Sequence, residues 1–232
     1  MKLSIVMPIF NEKNMISDVL KRVEQIDLGG IEKEIILVDD GSTDGTKDIL
    51  KNLENKHKVI YHEKNRGRGA AMRTGFAVAS GDIIMVQDAD FEFNPKNYPA
   101  LIKPILEDKA DVVYGSRFLN KEFRHVYFLF HFANKFITYV SNILGGLHLT
   151  DMLTGYKVFK KETLQEILPH LTSERFELEP EITAQISKRG YRLCEVPLLF
   201  QGRMRTYEGG KKIRWIHGLI LLWFTIKFNL FK

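Results

Sequence analysis

Apolar and polar positions in the first half of the chain follow two alternating patterns. The run "LSIVMP" is apolar apart from one serine, and Ile16, Val19, Leu20, Val23 and Ile26 then recur at the spacing of a helix face. "EIILVDD" predicts a second buried strand, and "GSTDGT" a turn with helix-capping residues leading into "KDILKNLE". "KVIYH" predicts a third strand, "RGRGAAMRTGFAVAS" a glycine-rich helix closed by Gly81, and "DIIMVQD" a fourth strand. A proline-bounded helix around "YPALIKPILED" and a fifth strand in "ADVVYGSR" complete the pattern. Short apolar strands alternating with helices predict an α/β fold, a mainly parallel sheet covered on both faces. Ligands of such sheets bind beyond the carboxyl ends of the strands.

After Arg117 the pattern changes. "FRHVYFLFHFANKFITYVSNILGGLHL" is rich in Phe, Tyr and Leu with Arg124, His125, His131 and Lys135 set among them. "DMLTGYKVFKKETLQEIL" and "RFELEPEITAQISKRGYRLCEVPLLF" read as globular again. The end of the chain is basic at Lys211, Lys212 and Arg214, then apolar and aromatic in "WIHGLILLWFTIKFNLF". Helices rich in Phe, Leu and Trp with interspersed basic residues suit a membrane–water interface, and Trp215 and Trp223 are of the type that favours it. No uncharged stretch reaches the roughly 18 to 20 apolar residues that a spanning helix needs. The expectation is therefore peripheral contact with a membrane surface. The acidic start of "MKLSIVMPIFNE" does not read as a signal peptide.

Composition narrows the picture a little further. With 232 residues, 44% of them hydrophobic, the chain can bury one full core. A single cysteine, Cys194, excludes a disulfide framework and a cysteine-rich zinc site, and its strand-like surroundings give it the role of a small buried hydrophobe. The net charge of +5 suits an acidic substrate or an anionic membrane, and no clustered, aromatic-lined basic face points to nucleic acid.

The candidate chemistry lies in the acids. Glu12 follows the first strand, Asp39 and Asp40 end the second, and Asp88, Asp90 and Glu92 follow the fourth. Carboxylates converging on one crevice need a cation to offset their repulsion. An oxygen-only set with no nearby His or Cys favours Mg²⁺ or Mn²⁺, ions that usually also bind a substrate pyrophosphate. "GRGAAM" imitates a dinucleotide fingerprint, but Met72 replaces its third glycine, and the first strand–helix junction carries Pro8 and Glu12 instead.

"MPIFNE", "VDDGSTDGT", "NRGRGAA", "QDADFEFNP", "VVYGSR" and "DMLTGYKVF", in that order, resemble the family 2 glycosyltransferases of GT-A fold. More narrowly they resemble the dolichol-phosphate and polyprenyl-phosphate glycosyltransferases, over residues 5 to about 212. The resemblance implies a nucleotide-binding half at residues 1–117, an acceptor-binding half at 118–212 and an amphipathic tail at 213–232. It implies that the nucleotide sits against Pro8, Phe10, Glu12, Val38 and Asp40, with Ala89 behind it. Asp88 and Asp90 become the metal and diphosphate centre, with Glu92 beside the metal where relatives often carry Gln. Arg117 becomes the holder of the acceptor phosphate, with a second basic residue near His131 or Lys135. Arg205 and Lys211 match a segment that closes over the donor, although Glu208-Gly209-Gly210 departs from the family's Gly-Glu-Ser.

Reaction chemistry agrees with this assignment. A sugar nucleotide reacts when its anomeric carbon is attacked and the nucleoside diphosphate leaves, so stabilising that leaving group lowers the barrier. Asp90, Arg117 and Asp151 are the catalytic candidates. A lipid phosphate acceptor is already anionic, its second pKa being about 6, and needs no strong base. A hydroxyl acceptor needs a positioned carboxylate, for which Asp151, Glu179 and Glu181 are available. The expectation is a metal-dependent, inverting transfer of mannose from GDP, or of glucose or N-acetylglucosamine from UDP, to a dolichyl-type phosphate. It would take place at the cytoplasmic face of a membrane, with a membrane-anchoring partner or a second copy of the chain as further partners. The alternatives are transfer to a hydroxyl on a glycolipid or polysaccharide precursor, and a non-catalytic nucleotide-sugar-binding subunit.

Overall fold

The computed structural model describes residues 1–119, 128–199 and 215–231. In chain order the elements are β1 (Lys2–Ile9), α1 (Ile16–Gln25), β2 (Glu32–Asp39), α2 (Thr46–Lys51), β3 (Lys58–Tyr61), α3 (Arg68–Val78) and β4 (Ile83–Val86). They continue with α4 (Tyr98–Leu106), β5 (Val112–Ser116), α5 (Phe128–Gly145), β6 (Lys157–Lys160), α6 (Lys161–Ile167), α7 (Leu178–Lys188), β7 (Leu193–Pro197) and α8 (Trp215–Leu230). All seven strands join one sheet in the order β3-β2-β1-β4-β6-β5-β7. The five strands expected from the first half are present. β6, inside "GYKVFKK", runs antiparallel between β4 and β5. The other neighbouring pairs are parallel, so β1, β2, β4 and β5 all end at one edge.

Side chains alternate along the strands and build a core on each face. Leu3, Ile5, Met7 and Ile9 of β1 meet α1 and α4 through Val19, Val23, Leu101 and Ile102. Val6, with Ile36, Ile84 and Val86, meets α3, α6 and α7 through Met72, Phe76, Leu164 and Ile182. α3 lies close on β1 because position 75 has no side chain: a Cβ there would sit 2.3 Å from Val6 Cγ1. Gly81 does not close α3, which ends at Val78. A Cβ at Gly81 would lie 2.7 Å from Lys2 O and Ser4 N, so the residue serves the approach to β1. Pro99 bounds the start of α4, where a missing N–H costs nothing, whereas Pro104 sits inside its last turn.

α8 packs on α5 and α7, so the tail is joined to the body. Phe228 and Thr225 are buried there, whereas Leu219, Ile220, Trp223 and Leu230 remain exposed. No helix among the described residues is long and apolar enough to cross a membrane. Gly75→Ala should destabilise the fold by about 1–3 kcal/mol through overpacking. Denaturant melts should show Gly75→Ala with Val6→Ala to be less damaging than the sum of the singles, by about 1 kcal/mol.

Candidate active site

The loops that follow β1 and β2 hold each other. Asn11 turns the chain with a φ of 55°, in the left-handed region that Asn tolerates. Its backbone N–H donates to Ser42 Oγ at 2.9 Å, and its Oδ1 accepts from Thr43 N at 2.8 Å. Glu12 N donates to Thr46 Oγ1 at 2.9 Å and Lys13 N to Asp44 Oδ2 at 3.1 Å. Asp44 Oδ1 also accepts Thr46 N at 2.9 Å, so an acid two residues before α2 caps its start. Pro8 and Val38 are buried register partners in the sheet, Glu12 is buried beyond them, and Phe10 projects into solvent.

Asp40 is buried and spent on the segment that follows β3. Its Oδ1 accepts Arg66 N at 2.9 Å and lies 2.8 Å from His62 Nδ1; its Oδ2 accepts Asn65 Nδ2 at 2.9 Å and Gly67 N at 2.7 Å. Asp40, the expected nucleotide contact, thus also holds the loop at 62–67. Gly67 has a φ of 114°, and Cβ atoms at Gly67 and Gly69 would fall 2.5 and 2.6 Å from the carbonyls of Glu174 and Arg175. The glycine motif therefore serves chain packing at the head of α3, and not a dinucleotide.

Beyond β4, Gln87 Oε1 accepts the hydroxyls of Tyr98 at 2.8 Å and Tyr156 at 2.7 Å, which fixes the start of the acidic segment. Ala89 is buried in the core, and Asp90, also buried, accepts Glu92 N on Oδ1 at 3.1 Å. Asp88 Oδ1 accepts Arg68 Nε at 2.8 Å. No group of three or more His, Cys, Asp or Glu side chains forms a cation cage among the described residues. The expected set of Asp88, Asp90 and Glu92 lies together in the segment that follows β4. Glu92 gives its backbone N–H to Asp90, and its charge acts on Arg117. Two carboxylates still fit Mg²⁺ or Mn²⁺, which commonly take one or two from the protein and complete their shell with phosphate and water. The absence of a side chain at Gly155 keeps room for this, since a Cβ there would lie 2.5 Å from Asp88 Oδ2.

Across the edge, at the end of β5, Arg117 is clamped by Asp151. Nε reaches Asp151 Oδ2 at 2.7 Å and Nη2 reaches Oδ1 at 2.7 Å, while Nη2 also donates to Leu153 O at 3.2 Å. Asp151 is wholly buried and accepts in addition Arg117 N at 3.1 Å and Asn134 Nδ2 at 2.9 Å. Burial pushes the Asp151 carboxyl up, but Arg117 outweighs it, and the pKa ends below the usual aspartate value. Such a carboxylate is a poor base. Asp151 holds Arg117 in place. The other two candidate bases are also committed. Glu181 caps Thr172 N and Ser173 N, the latter at 2.8 Å, and Glu179 binds Lys157 and Arg68.

Arg68, Lys157, Asn134 and Glu195 escaped the sequence reading. Glu195, on β7, accepts Thr150 N at 2.7 Å and Asp151 N at 2.9 Å, which sets the segment that carries Asp151. Only the "YRLCEVP" strand pattern hinted at Glu195, and nothing local singled out the other three. His131 packs edge-on against Phe118 with ring centroids 4.6 Å apart, and Lys135 is exposed on α5. Arg205 and Lys211 lie outside the described residues.

The seven-stranded sheet thus carries acids beyond β4 and a clamped arginine beyond β5. Residues 4–168, more than half of the chain, match the family described as Glycosyl transferase family 2. The chain belongs to that family and is a glycosyltransferase. It is 34% identical to an uncharacterised protein of Methanocaldococcus jannaschii, over 84% of this chain and 79% of that one. It is 32% identical to a UDP-N-acetylglucosamine–dolichyl-phosphate N-acetylglucosaminyltransferase of Methanococcus voltae, over 84% and 83%. It is 30% identical to a dolichol-phosphate mannosyltransferase of Pyrococcus furiosus, covering 88% of this chain but 58% of that longer one. Among solved structures, glucosyl-3-phosphoglycerate synthase from Mycobacterium tuberculosis superposes with a TM-score of 0.68 at 19% identity, over 99% of this chain and 77% of that one, in a complex with Mn²⁺, UDP and phosphoglyceric acid. The same enzyme with Mn²⁺, UDP-glucose and phosphoglyceric acid gives 0.70 at 19% identity, over 98% and 79%. The fold is GT-A.

Asp151→Asn should cost about 3 kcal/mol of stability by leaving Arg117 without its buried partner. Because the folded pKa of Asp151 lies below 3.8, its stabilisation is complete above that pH and is lost as pH falls through the lower folded value. The gap between wild type and variant in acid melts should therefore close below pH 3.8. A catalytic base would instead show unchanged stability and a lost rate.

Proposed function

We propose that this chain transfers a sugar from a nucleotide-sugar donor to a polyprenyl (dolichyl-type) phosphate, with inversion and with Mg²⁺ or Mn²⁺. The observation that carries the reading is that the three candidate general bases, Asp151, Glu179 and Glu181, are all committed to internal partners. A hydroxyl nucleophile needs a base, whereas a phosphate monoester arrives already anionic. The relatives from Methanococcus voltae and Pyrococcus furiosus, both dolichyl-phosphate glycosyltransferases, support the same acceptor.

In this mechanism Arg117 holds the acceptor phosphate, its guanidinium kept in place by Asp151 and by Leu153 O. A phosphate oxygen attacks the anomeric carbon from the face opposite the leaving group. The new C–O bond forms as the bond to the nucleoside diphosphate breaks, and the electron pair leaves with the diphosphate. No proton has to move in the bond-forming step. Asp88 and Asp90 would hold the divalent ion, which supplies charge neutralisation for the departing diphosphate. On this reading Pro8, Phe10, Glu12, Val38, Asp40 and Ala89 line the donor side.

Membrane contact completes the reading. Phe132, Phe136, Tyr139 and Ile143 lie on one face of α5 and are exposed, Phe132 by 62% and Ile143 by 63%. The neighbouring α8 exposes Leu219, Ile220 and, by 58%, Trp223. Lys135 and Lys227 are exposed on the same two helices. Apolar stripes accompanied by lysines suit the cytoplasmic surface of an anionic bilayer, where a lipid-linked acceptor resides.

A panel of GDP-mannose, UDP-glucose and UDP-N-acetylglucosamine with a short polyprenyl phosphate and Mg²⁺ or Mn²⁺ should give a glycolipid from one donor. Chelator should abolish the product, and Asp90→Ala should lower the rate by about a hundredfold or more. Turnover of free polyprenol in place of the phosphate would overturn the acceptor assignment. Phe136→Ser with Trp223→Ser should weaken sedimentation with anionic liposomes by about tenfold or more, at unchanged melting temperature. Undiminished sedimentation would remove the stripes from the membrane.

A further inference from the structure

Asp88, Arg68, Glu179 and Lys157 form a line of alternating charge that joins the donor-side acid to the segment carrying Asp151. Lys157 is wholly buried, and its Nζ donates to Met152 O at 3.0 Å, to Thr154 O at 2.7 Å and to Glu179 Oε2. The other oxygen of Glu179 takes Arg68 Nη1. Arg68 Nε then reaches Asp88 Oδ1 at 2.8 Å. Burial draws the Arg68 guanidinium toward its neutral form, but Asp88 and Glu179 together more than reverse this, so it stays a firm cation. Asp88 is therefore matched by a protein charge before any ion arrives. Arg68 Nη2 is buried with no hydrogen-bond partner among the described residues, so one of its donor groups is left over.

This arrangement treats two ligands oppositely. A divalent cation approaching Asp88 alone meets the positive charge of Arg68 at contact distance and has to share or displace it. A diphosphate is attracted by the same guanidinium, whose side chain is partly exposed. We propose that Arg68 is a built-in counter-cation of the donor site, a positioning residue that suppresses binding of the bare divalent ion and favours its entry together with a nucleoside diphosphate. The role rests on the donor-site reading given above. Lys157 and Glu179 keep Arg68 in place and tie it to the carbonyls of Met152 and Thr154, so the acceptor-side segment and the donor-side acid are fixed to one chain of charges, buried at Lys157 and Glu179 and partly exposed at Arg68 and Asp88.

The test is binding to the full chain, followed by the electron paramagnetic resonance signal of free Mn²⁺ and, for nucleotides, by calorimetry. Arg68→Met should bind Mn²⁺ alone about tenfold more tightly than wild type. The same variant should bind GDP and UDP without metal several-fold more weakly, and Arg68→Lys should restore both values towards wild type. Arg68→Gln keeps polar contacts to Asp88 and Glu179 without the charge, and should shift in the same directions if Arg68→Met fails to fold. A purely structural role would weaken both ligands. Unchanged or weaker Mn²⁺ binding in the uncharged variants, with wild type still binding Mn²⁺ in the presence of GDP or UDP, would overturn the counter-cation role alone. Failure of wild type to bind Mn²⁺ even with those nucleotides would overturn the donor-site reading itself.

Discussion

Withdrawing carboxylates from water at the carboxyl edge of the sheet is the constraint that the rest of the molecule answers. Glu12, Asp39, Asp40, Asp90 and Asp151 are all buried there. A buried carboxylate is tolerated only when hydrogen bonds or an opposite charge replace its hydration. Asp40 meets the requirement with backbone N–H groups and with Asn65, and in doing so it shapes the glycine loop. Asp151 meets it with an arginine fork, and in doing so it aims Arg117. Asp88 meets it with Arg68, a cation tied in turn to Glu179 and Lys157. Local architecture at this edge is thus largely a set of solutions to one electrostatic problem.

Those solutions also select the chemistry. A carboxylate that acts as a base must exchange a proton, and one held below its ordinary pKa by a buried guanidinium does so poorly. The edge offers cations and committed acids, a combination suited to binding anions at both ends of the reaction. An arginine is the appropriate residue on the acceptor side, because its planar fork can hold a carboxylate and a phosphate in fixed directions. The same logic explains why Glu179 and Glu181, adjacent in sequence terms, do different work. One faces Lys157 and Arg68 across the sheet, and the other caps the backbone at Thr172 and Ser173.

The strands and the first-half helices were legible because each has a period that burial enforces. The acids beyond β1, β2 and β4 were legible as a group because strand ends in a parallel sheet meet at one edge. What a sequence does not carry is which partner each acid has. Asp40 and Asp88 look alike in "VDDGS" and "QDADF", yet the first is closed by the backbone and amide groups of a later loop, Gly67 being 27 residues on, and the second by the charge of Arg68, 20 residues earlier. Lys157 escaped notice because a lysine at the start of a strand normally reads as solvated. Its burial follows from β6 running antiparallel, which a chain of alternating strands and helices does not announce. Gly81 was misread for a related reason, since it makes room for a segment distant in sequence, as Gly67 and Gly69 do.

One helix connects the site to the molecular surface. α5 sends Asn134 to Asp151 Oδ1 at 2.9 Å, and Thr138 Oγ1 accepts Met152 N at 3.2 Å, so its inner side grips the segment that positions Arg117. Its other side carries Phe132, Phe136, Tyr139 and Ile143 in the open. Helical spacing requires these two sets to face apart, because residues 132, 136, 139 and 143 repeat at steps of four and three, and 134 and 138 fall between them. A lipid surface meeting the outer stripe would therefore lie at a fixed orientation to the Arg117 clamp. An acceptor whose phosphate is tethered to that surface by its own hydrocarbon would need to find only one remaining coordinate, along the membrane, to reach the site. Its local concentration is then set by the membrane and not by the bulk solution.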